Sequence, residues 1–486
     1  MSQPSPDSGF PTPDSRVGSR LPTAEPRLLI SNTLTGQKEL FEPLGPVVSM
    51  YVCGMTPKFH PHVGHARLFV AADVLRRYLE YRGYQVKHVQ NFTDIDDKII
   101  ERGRSEGISA EAAAKKYTDS YFEAMRKLNV AAAHLFPTVT GSMARIVRFV
   151  EALLEQGFAY AVGGDVYFAV DRFPHYGRLS RRTSEGQLVG ARGEVEPGKR
   201  DPRDFALWKA AKPDEPSWDS PWGKGRPGWH IECSTMVKET LGEQIDIHSG
   251  GRDLIFPHHE NEIAQSEART GKAPFARYWP HVGLVTTGGE KMSHSLENFA
   301  TIHDIVERYD PMALRLYLLS THYRSPLAFS EEGLIDKSRA LERLHIAVEG
   351  FEGDSPEPQG WTTAYREQFL TVMDDDFNAA GGLGVMFELA REINRRRGTE
   401  DGRAAAGQAL LIELADVLGL DLRATSAKQA GAAEPFIDLL LDVRSRLREA
   451  RQWALADQIR DELRARGVVL EDQPERTVWR RARRDE

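Results

Sequence analysis

The sequence predicts an α/β protein built around a parallel sheet, and three observations predict it. Residues 47–54, Val-Val-Ser-Met-Tyr-Val-Cys-Gly, form a nearly unbroken apolar run ending at Gly54, as expected of a buried strand. Residues 66–82 then take helical spacing through Leu68, Ala71, Ala72, Leu75 and Leu79, and Gly83 closes the helix. Residues 86–92 return to a strand pattern, which completes a βαβ unit. In open parallel sheets ligands bind beyond the carboxyl ends of the strands. Cys53, the loop His62-Val63-Gly64-His65 and Thr93-Asp94 all fall at such ends.

The remaining segments follow in order. Met1 to Pro26 holds six Pro and five Ser with few apolar residues, and reads as a disordered tail rather than a signal peptide. Residues 110–160 are mostly helical. Residues 161–228, rich in Gly, Pro, Arg and Trp, read as an insertion between two halves of the nucleotide-binding domain. The α/β style resumes over 229–300, and helical periodicity then runs to about residue 425. Ser426 to Glu434 reads as a linker, followed by two helices, a strand-like Val468-Val469-Leu470 and a basic tail.

Bulk composition narrows the function. A chain of 486 residues exceeds one compact core, so about two to four domains are expected. No apolar stretch reaches the roughly 18 residues of a membrane span, and a cytoplasmic protein is expected. The net charge of −8 does not advertise nucleic-acid binding, yet residues 443–486 carry twelve Arg against nine Asp plus Glu. The only two cysteines, Cys53 and Cys233, argue against a disulfide scaffold.

Four motifs carry chemistry. In HVGH, His62 and His65 sit where a βα turn meets a helix N-terminus, a place that favours anions. Gly64 permits close backbone approach to a nucleotide. A bare H-x-G-H is as often an idle loop pair. The second motif is Lys291-Met292-Ser293-His294-Ser295, after Thr286-Thr287-Gly288-Gly289. Here Lys291, Ser293 and Ser295 can meet phosphate charge as a mobile loop closes. The third is Gly228-Trp229-His230-Ile231-Glu232-Cys233. The fourth runs His248-Ser249-Gly250-Gly251-Arg252-Asp253 and on through Phe256-Pro257-His258-His259-Glu260-Asn261-Glu262. Gly251 allows a base and ribose to approach, and Asp253 can accept from ribose hydroxyls. With Pro257 opening a helix, His258 and Glu262 share one face. Together with Cys53 and Cys233 they could form a zinc shell, although His-x-x-x-Glu is more often a surface pair and a lone Cys a small core residue.

The segments MYVCGMTPKFHPHVGHAR, NFTDIDDKII, RPGWHIECSTM, DIHSGGRDLIFPHHENEIAQSEA and KMSHSLENF closely resemble the bacterial cysteinyl-tRNA synthetases, class I aminoacyl-tRNA synthetases. The resemblance continues through DDDFNAA and VVLEDQPERTVWRR and leaves out only about the first 26 residues. It implies a Rossmann-type catalytic domain split by an insertion, then a helical bundle and a small anticodon-binding domain. The implied divisions are a tail over 1–26, the first catalytic half over 27–140, a connective insertion over 141–228 and the second half over 229–300. A stem-contact region over 301–345, a helical tRNA-binding bundle and linker over 346–430, and an anticodon domain over 431–486 follow.

The resemblance also implies roles. Cys53, Cys233, His258 and Glu262 would hold one zinc per subunit, and that zinc would select a thiol over a hydroxyl. Thr93 and Trp229 would surround cysteine. His62, His65 and Lys291 would serve catalysis, while Gly64, Gly251, Asp253, Ser293, His294 and Ser295 would bind ATP with Mg2+. Arg448, Asp457 and Asp472 would read the anticodon of tRNA(Cys). A monomer with no membrane partner and no covalent enzyme intermediate is expected. Two departures stand out: His294 replaces the second lysine of the usual Lys-Met-Ser-Lys-Ser, with Glu297 in place of glycine, and Pro57-Lys58-Phe59-His60 replaces a Val-Tyr-Asp type loop.

Overall fold

The computed structural model describes residues 27–182, 198–213, 215–287, 290–291, 300–351, 360–397, 404–423, 434–466, 468–472 and 477–481. The chain divides into two compact units, Met1–Asp421 and Leu422–Glu486.

The first unit opens with an antiparallel pair, β1 (Leu29–Asn32) and β2 (Gln37–Leu40). Its centre is a parallel sheet made of β3 (Val47–Val52), β4 (Gln85–Gln90), β9 (Ile245–Gly251) and β10 (Ala276–Tyr278), in the order β10-β9-β3-β4. Helix α1 (Val63–Tyr81) crosses from β3 to β4. The short β11 (His281–Val282) extends the pairing past the end of β9. Successive strands add on one side of β3 and then, after a long excursion, on the other. The chain direction therefore diverges between β3 and β9, and a crevice opens beyond their carboxyl ends. Cys53 follows β3 there, and its N–H donates to the Ser249 carbonyl of β9 at 3.0 Å.

The excursion contains α2 (Asp97–Glu106), α3 (Ala110–Lys127), α4 (Val139–Glu155) and an antiparallel sheet. That sheet is β5 (Ala159–Val162), β6 (Asp165–Phe168), β7 (Phe205–Ala210) and β8 (Gly225–Pro227), in sequential order. Helix α5 (Trp229–Thr240) follows directly and α6 (Glu260–Thr270) follows β9. Tyr51, Ile146, Phe168, Trp208, Ile231 and Trp279 belong to one buried cluster, so the inserted sheet and the parallel sheet share a core.

Beyond β11, β12 (Val285–Thr287) pairs with β13 (Glu290–Lys291) and with β14 (Leu327–Ala328). Helices α7 (Ile302–Arg308) and α8 (Pro311–Leu319) lie between β13 and β14. Apart from Pro311 at its start, α8 is buried throughout, which explains its lack of a polar face. Helices α9 (Glu331–Val348), α10 (Gly360–Asp374), α11 (Ala379–Arg396) and α12 (Ala404–Val417) form a bundle over Leu344, Phe369, Met386, Ile393 and Leu414. The second unit consists of α13 (Glu434–Glu449), α14 (Trp453–Ala465) and the hairpin β15 (Val468–Asp472) with β16 (Thr477–Arg481). Among the described residues no helix is long and apolar enough to cross a membrane.

Two local expectations shift. The first strand stops at Val52, because the chain turns there toward the crevice, and α1 starts at Val63, inside the motif itself. Pro257 opens a helical stretch as expected: Phe256 before it is extended, with φ −138° and ψ 132°, and helical backbone then runs through His258 and His259 into the regular α-helix from Glu260. The side chains of His258 and Glu262 meet, as that spacing requires.

Candidate active site and metal centre

His62 is the N-cap of α1. Its Nδ1 accepts the Gly64 N–H at 3.0 Å, while the His62 N–H donates to His65 Nδ1 at 3.2 Å. This is a capping box made by two imidazoles instead of a hydroxyl and a carboxylate. Because each Nδ1 accepts, a neutral ring must carry its proton on Nε2. The two rings lie 3.9 Å apart, centre to centre. A Cβ at Gly64 would stand 2.8 Å from His62 Cε1, so the glycine is needed for His62 to fold back over the helix end.

Beside this turn, Cys53, Cys233, His258 and Glu262 converge, with their ligand atoms all within 4.8 Å of one another. Cys53 Sγ is 3.9 Å from Cys233 Sγ, 3.6 Å from His258 Nε2 and 3.6 Å from Glu262 Oε1. His258 Nε2 and Glu262 Oε1 are 3.0 Å apart. A tetrahedral zinc with bonds of about 2.0–2.3 Å needs ligand pairs about 3.3–3.8 Å apart. Two sulfurs, one imidazole and one carboxylate, all buried, therefore match that ion in donor type and spacing.

A second quartet, Cys53, His248, His259 and Glu262, overlaps the first. It shares Cys53 and Glu262 with the first, so the two quartets describe one site. The softer pair of sulfurs favours the first, and the extra histidines then act as supports. His248 Nε2 lies 2.8 Å from the other Glu262 oxygen. His259 Nε2 lies 3.4 Å from Cys53 Sγ, and its Nδ1 reaches His281 Nε2 at 2.8 Å. His281 Nδ1 continues to Thr33 Oγ1 at 2.7 Å, and His230 Nδ1 stands 3.0 Å from His258 Nδ1. The sequence reading assigned no role to His230, His248, His259 or His281. Only the adjacency of His258 and His259 hinted at a denser cluster.

The charges in this cluster are strongly shifted. Burial pushes the Cys53 thiol well above its ordinary value, whereas the hydrogen bond from Cys53 lowers Cys233 to about 6. Burial alone would raise Glu262 and lower His258. The imidazoles of His248 and His258 outweigh burial and bring Glu262 to about 2, and the Glu262 carboxylate with Cys233 raises His258 to about 10. Protons here occupy places a divalent cation would take.

Trp229 stacks toward His258 at 4.4 Å, centre to centre, and remains 40% exposed. Thr93 Oγ1 donates to Glu232 Oε2 at 3.0 Å. Burial, then the Cys233 charge, raises the Glu232 carboxyl well above the usual range. Gly251 and Asp253 lie where β9 ends. One cavity of 1320 Å³ is lined by Cys53, His62, Gly64, His65, Trp229, Glu232, Gly251 and Asp253.

The remaining expected residues are less fully placed. Lys291 pairs through its backbone with Thr286. Ser293, His294, Ser295 and Glu297 lie outside the described residues. In the second unit Arg448 is exposed on α13, and Asp457 on α14 pairs with Arg460 at 2.9 Å. Asp472 ends β15 opposite Thr477.

Comparison with known proteins agrees with this geometry. Residues 41–339 match the family of tRNA synthetases class I (C) catalytic domains, 368–423 match the DALR domain and 434–480 match the cysteinyl-tRNA ligase anticodon binding domain. A cysteine–tRNA ligase of Dehalococcoides mccartyi is 50% identical over 93% of this chain and 99% of its own length. That of Moorella thermoacetica is 48% identical over 94% of this chain and 100% of its own length. Among solved structures, a Mycobacterium tuberculosis methionyl-tRNA synthetase in complex with methionyl-adenylate aligns with a TM-score of 0.54 at 15% identity, covering 76% of this chain and 89% of that one. A leucyl-tRNA synthetase of Agrobacterium radiobacter aligns with a TM-score of 0.55 at 12% identity, covering 80% and 86%. These two share the fold. A class I catalytic fold, a buried Cys/His/Glu cluster at its strand ends and full-length relatives at half identity place this chain in the cysteine–tRNA ligase family.

Proposed function

We propose that the protein joins L-cysteine to tRNA(Cys) in two steps. The cysteine carboxylate attacks the α-phosphorus of MgATP, giving cysteinyl-adenylate and pyrophosphate. The terminal ribose hydroxyl of tRNA then attacks the acyl carbon and releases AMP. The observation that carries this reading is the buried meeting of Cys53, Cys233, His258 and Glu262, of which Cys53 lines the same cavity as the HVGH turn.

The chain's own residues supply binding and charge. His62 and His65 present Nε2–H donors to the phosphates at the head of α1, where the helix end already favours anions. Gly251 and Asp253 receive the adenosine, and Lys291 with Ser293, His294 and Ser295 closes over the departing pyrophosphate. Thr93 and Trp229 hold the amino acid. Zinc bound by the four ligands would accept the substrate thiolate and discriminate against serine, for which shape alone is a weak filter. Arg448, Asp457 and Asp472 read anticodon bases by hydrogen-bond type.

The decisive assay is cysteine-dependent ATP–pyrophosphate exchange followed by tRNA charging, with and without metal. Chelation is expected to abolish both, and added zinc to restore them. In a Cys233→Ser enzyme, zinc affinity should fall by more than the roughly 10–100-fold that losing an outer-shell partner costs, with discrimination against serine falling alongside. Exchange that persists undiminished in zinc-free protein would remove the metal from substrate selection.

A further inference from the structure

The same cavity is lined by cations that the adenylate chemistry leaves unused: Lys58, Lys98 and Arg102. Lys58 belongs to the atypical loop before HVGH. Arg102 Nε donates to the Lys58 carbonyl at 3.0 Å and so fixes that loop to α2. The Arg102 guanidinium and the Lys58 ammonium stand 4.9 and 5.0 Å from the centre of the Phe59 ring, which holds both cations. Burial, and then the charge of Lys98, lowers the Lys58 ammonium to about 8. Of the carboxylates nearby, Glu101 lines the same cavity and the Asp96 charge partly offsets the lowering of Lys58, while others are engaged. Asp96 caps α2 by accepting the Lys98 N–H at 2.6 Å, Arg102 pairs with Glu106, and Asp97 is held by Arg226 and Lys209. Neither Lys58 nor Lys98 has an ion pair among the described residues. Two neighbouring ammonium groups at a cavity wall repel each other, and a bound phosphate would relieve that repulsion.

We propose that Lys58 and Lys98, with Arg102 behind them, form a phosphate subsite for the sugar–phosphate backbone at the 3′ end of the tRNA. The inference rests on the proposed function, in which two substrates carry phosphate. A triphosphate is served by the HVGH turn and the Lys291 loop. The lysine pair instead begins a row that changes element. Asp97, next to Lys98, is held by Arg226 of β8, which is buried and also paired with Glu215, and lies 3.9 Å from Lys209 of β7; Lys209 and Lys199 line the same cavity, so basic side chains continue from the loop before α1 into the insertion. An extended strand, with a phosphate at every nucleotide, can follow such a row, whereas one nucleotide occupies a single point on it.

The test uses the full-length protein with K58Q, K98Q and the double variant, and K115Q as a control, because Lys115 is exposed and already paired with Asp119. Binding of tRNA(Cys) is followed by fluorescence anisotropy as salt rises from about 50 to 200 mM, a readout independent of chemistry. Each lysine variant is expected to bind tRNA about 3–10-fold more weakly, with the salt slope reduced by about 0.7 per cation removed. K58R should recover the loss, K115Q should match the wild type, and the ATP KM in exchange should stay within about twofold. Unchanged tRNA binding would overturn the proposal. So would an ATP KM rising as much as the tRNA affinity falls, which would assign the pair to the triphosphate. Absence of cysteine-dependent exchange in the wild type would count against the proposed function alone, because the binding measurement still decides the subsite.

Discussion

At the scale of single residues, the His62 ring has one structural task and, in the proposed function, a second: its Nδ1 caps α1, and its Nε2–H would donate to phosphate. These can be separated. Asparagine places an oxygen near the Nδ1 position and glutamine places an amide near Nε2. H62N is therefore expected to keep the thermal midpoint of the wild type while exchange falls about 100- to 1000-fold, the usual loss for one donor to developing charge. H62Q should do the reverse, retaining more activity and melting earlier by about 1 kcal/mol of cap. Paired measurement of melting and exchange checks both. If H62N exchanged at the wild-type rate, the ring would be a cap and nothing more. The same ring explains Gly64, which the sequence suggested only as room for a nucleotide.

At the scale of an element, β4 carries a hidden sensitivity to acid. His88 is buried, and neither ring nitrogen has a hydrogen-bond partner among the described residues. Burial, and then the nearby Arg76 charge, lowers its pKa to about 3. The unfolded chain, near 6.5, takes up a proton first, so below that value unfolding is favoured. The stability tied to neutral His88 is complete above pH 6.5 and drains away as pH falls toward 3. Between pH 7 and 5 the loss is about 2 kcal/mol. H88L should flatten that part of the urea-midpoint profile relative to the wild type, and an unchanged profile would contradict the assignment. Nothing in the spacing of β4 could reveal this, because the alternation marks His88 as inward without naming its neighbours. The first βαβ unit was legible for the opposite reason: apolar period and closing glycine are local signals. Cys53, Cys233, His258 and Glu262 could be put together from residue type and spacing as one possible shell, but with no C-x-x-C to mark them it took the resemblance to choose that shell over a surface pair and two core cysteines. The buried histidines behind them were not legible, because His248, His259 and His281 meet across two strands and a helix. Pro257 was legible for the same local reason as the βαβ unit, since an extended residue followed by a proline is a usual entry to a helix.

At the scale of the whole first unit, Arg315 ties the catalytic fold to the helical bundle. It is fully buried on α8 and donates to the Leu128 and Leu418 carbonyls at 2.8 Å each, while its other nitrogen pairs with Asp73 of α1. Gly419 must be glycine here, at φ +64°, because a Cβ would stand 2.1 Å from the guanidinium. R315M should lower stability by about 2–4 kcal/mol, by leaving the Leu128 and Leu418 carbonyls unpaired and taking from Asp73 one of its two guanidinium partners while Arg77 stays at 2.8 Å, and R315M/D73N should lose less than the sum of the single changes. Chemical denaturation of the four proteins of this cycle measures the coupling, and full additivity would show the pair to be independent. The metal centre has a consequence of another kind, in the order of synthesis. Cys53 lies 180 residues before Cys233 and 209 before Glu262. A ribosome adding residues one at a time exposes the first ligand long before the last three. Until the insertion has emerged and β9 has slotted beside β3, Cys53 is a lone thiol at an unfinished sheet edge. Closing so long a loop carries an entropy that grows only logarithmically with its length, and a metal tie between its ends would then hold the two halves together. Zinc uptake by the nascent chain would then report that β9 has paired with β3, before β10 and β11 have joined the sheet.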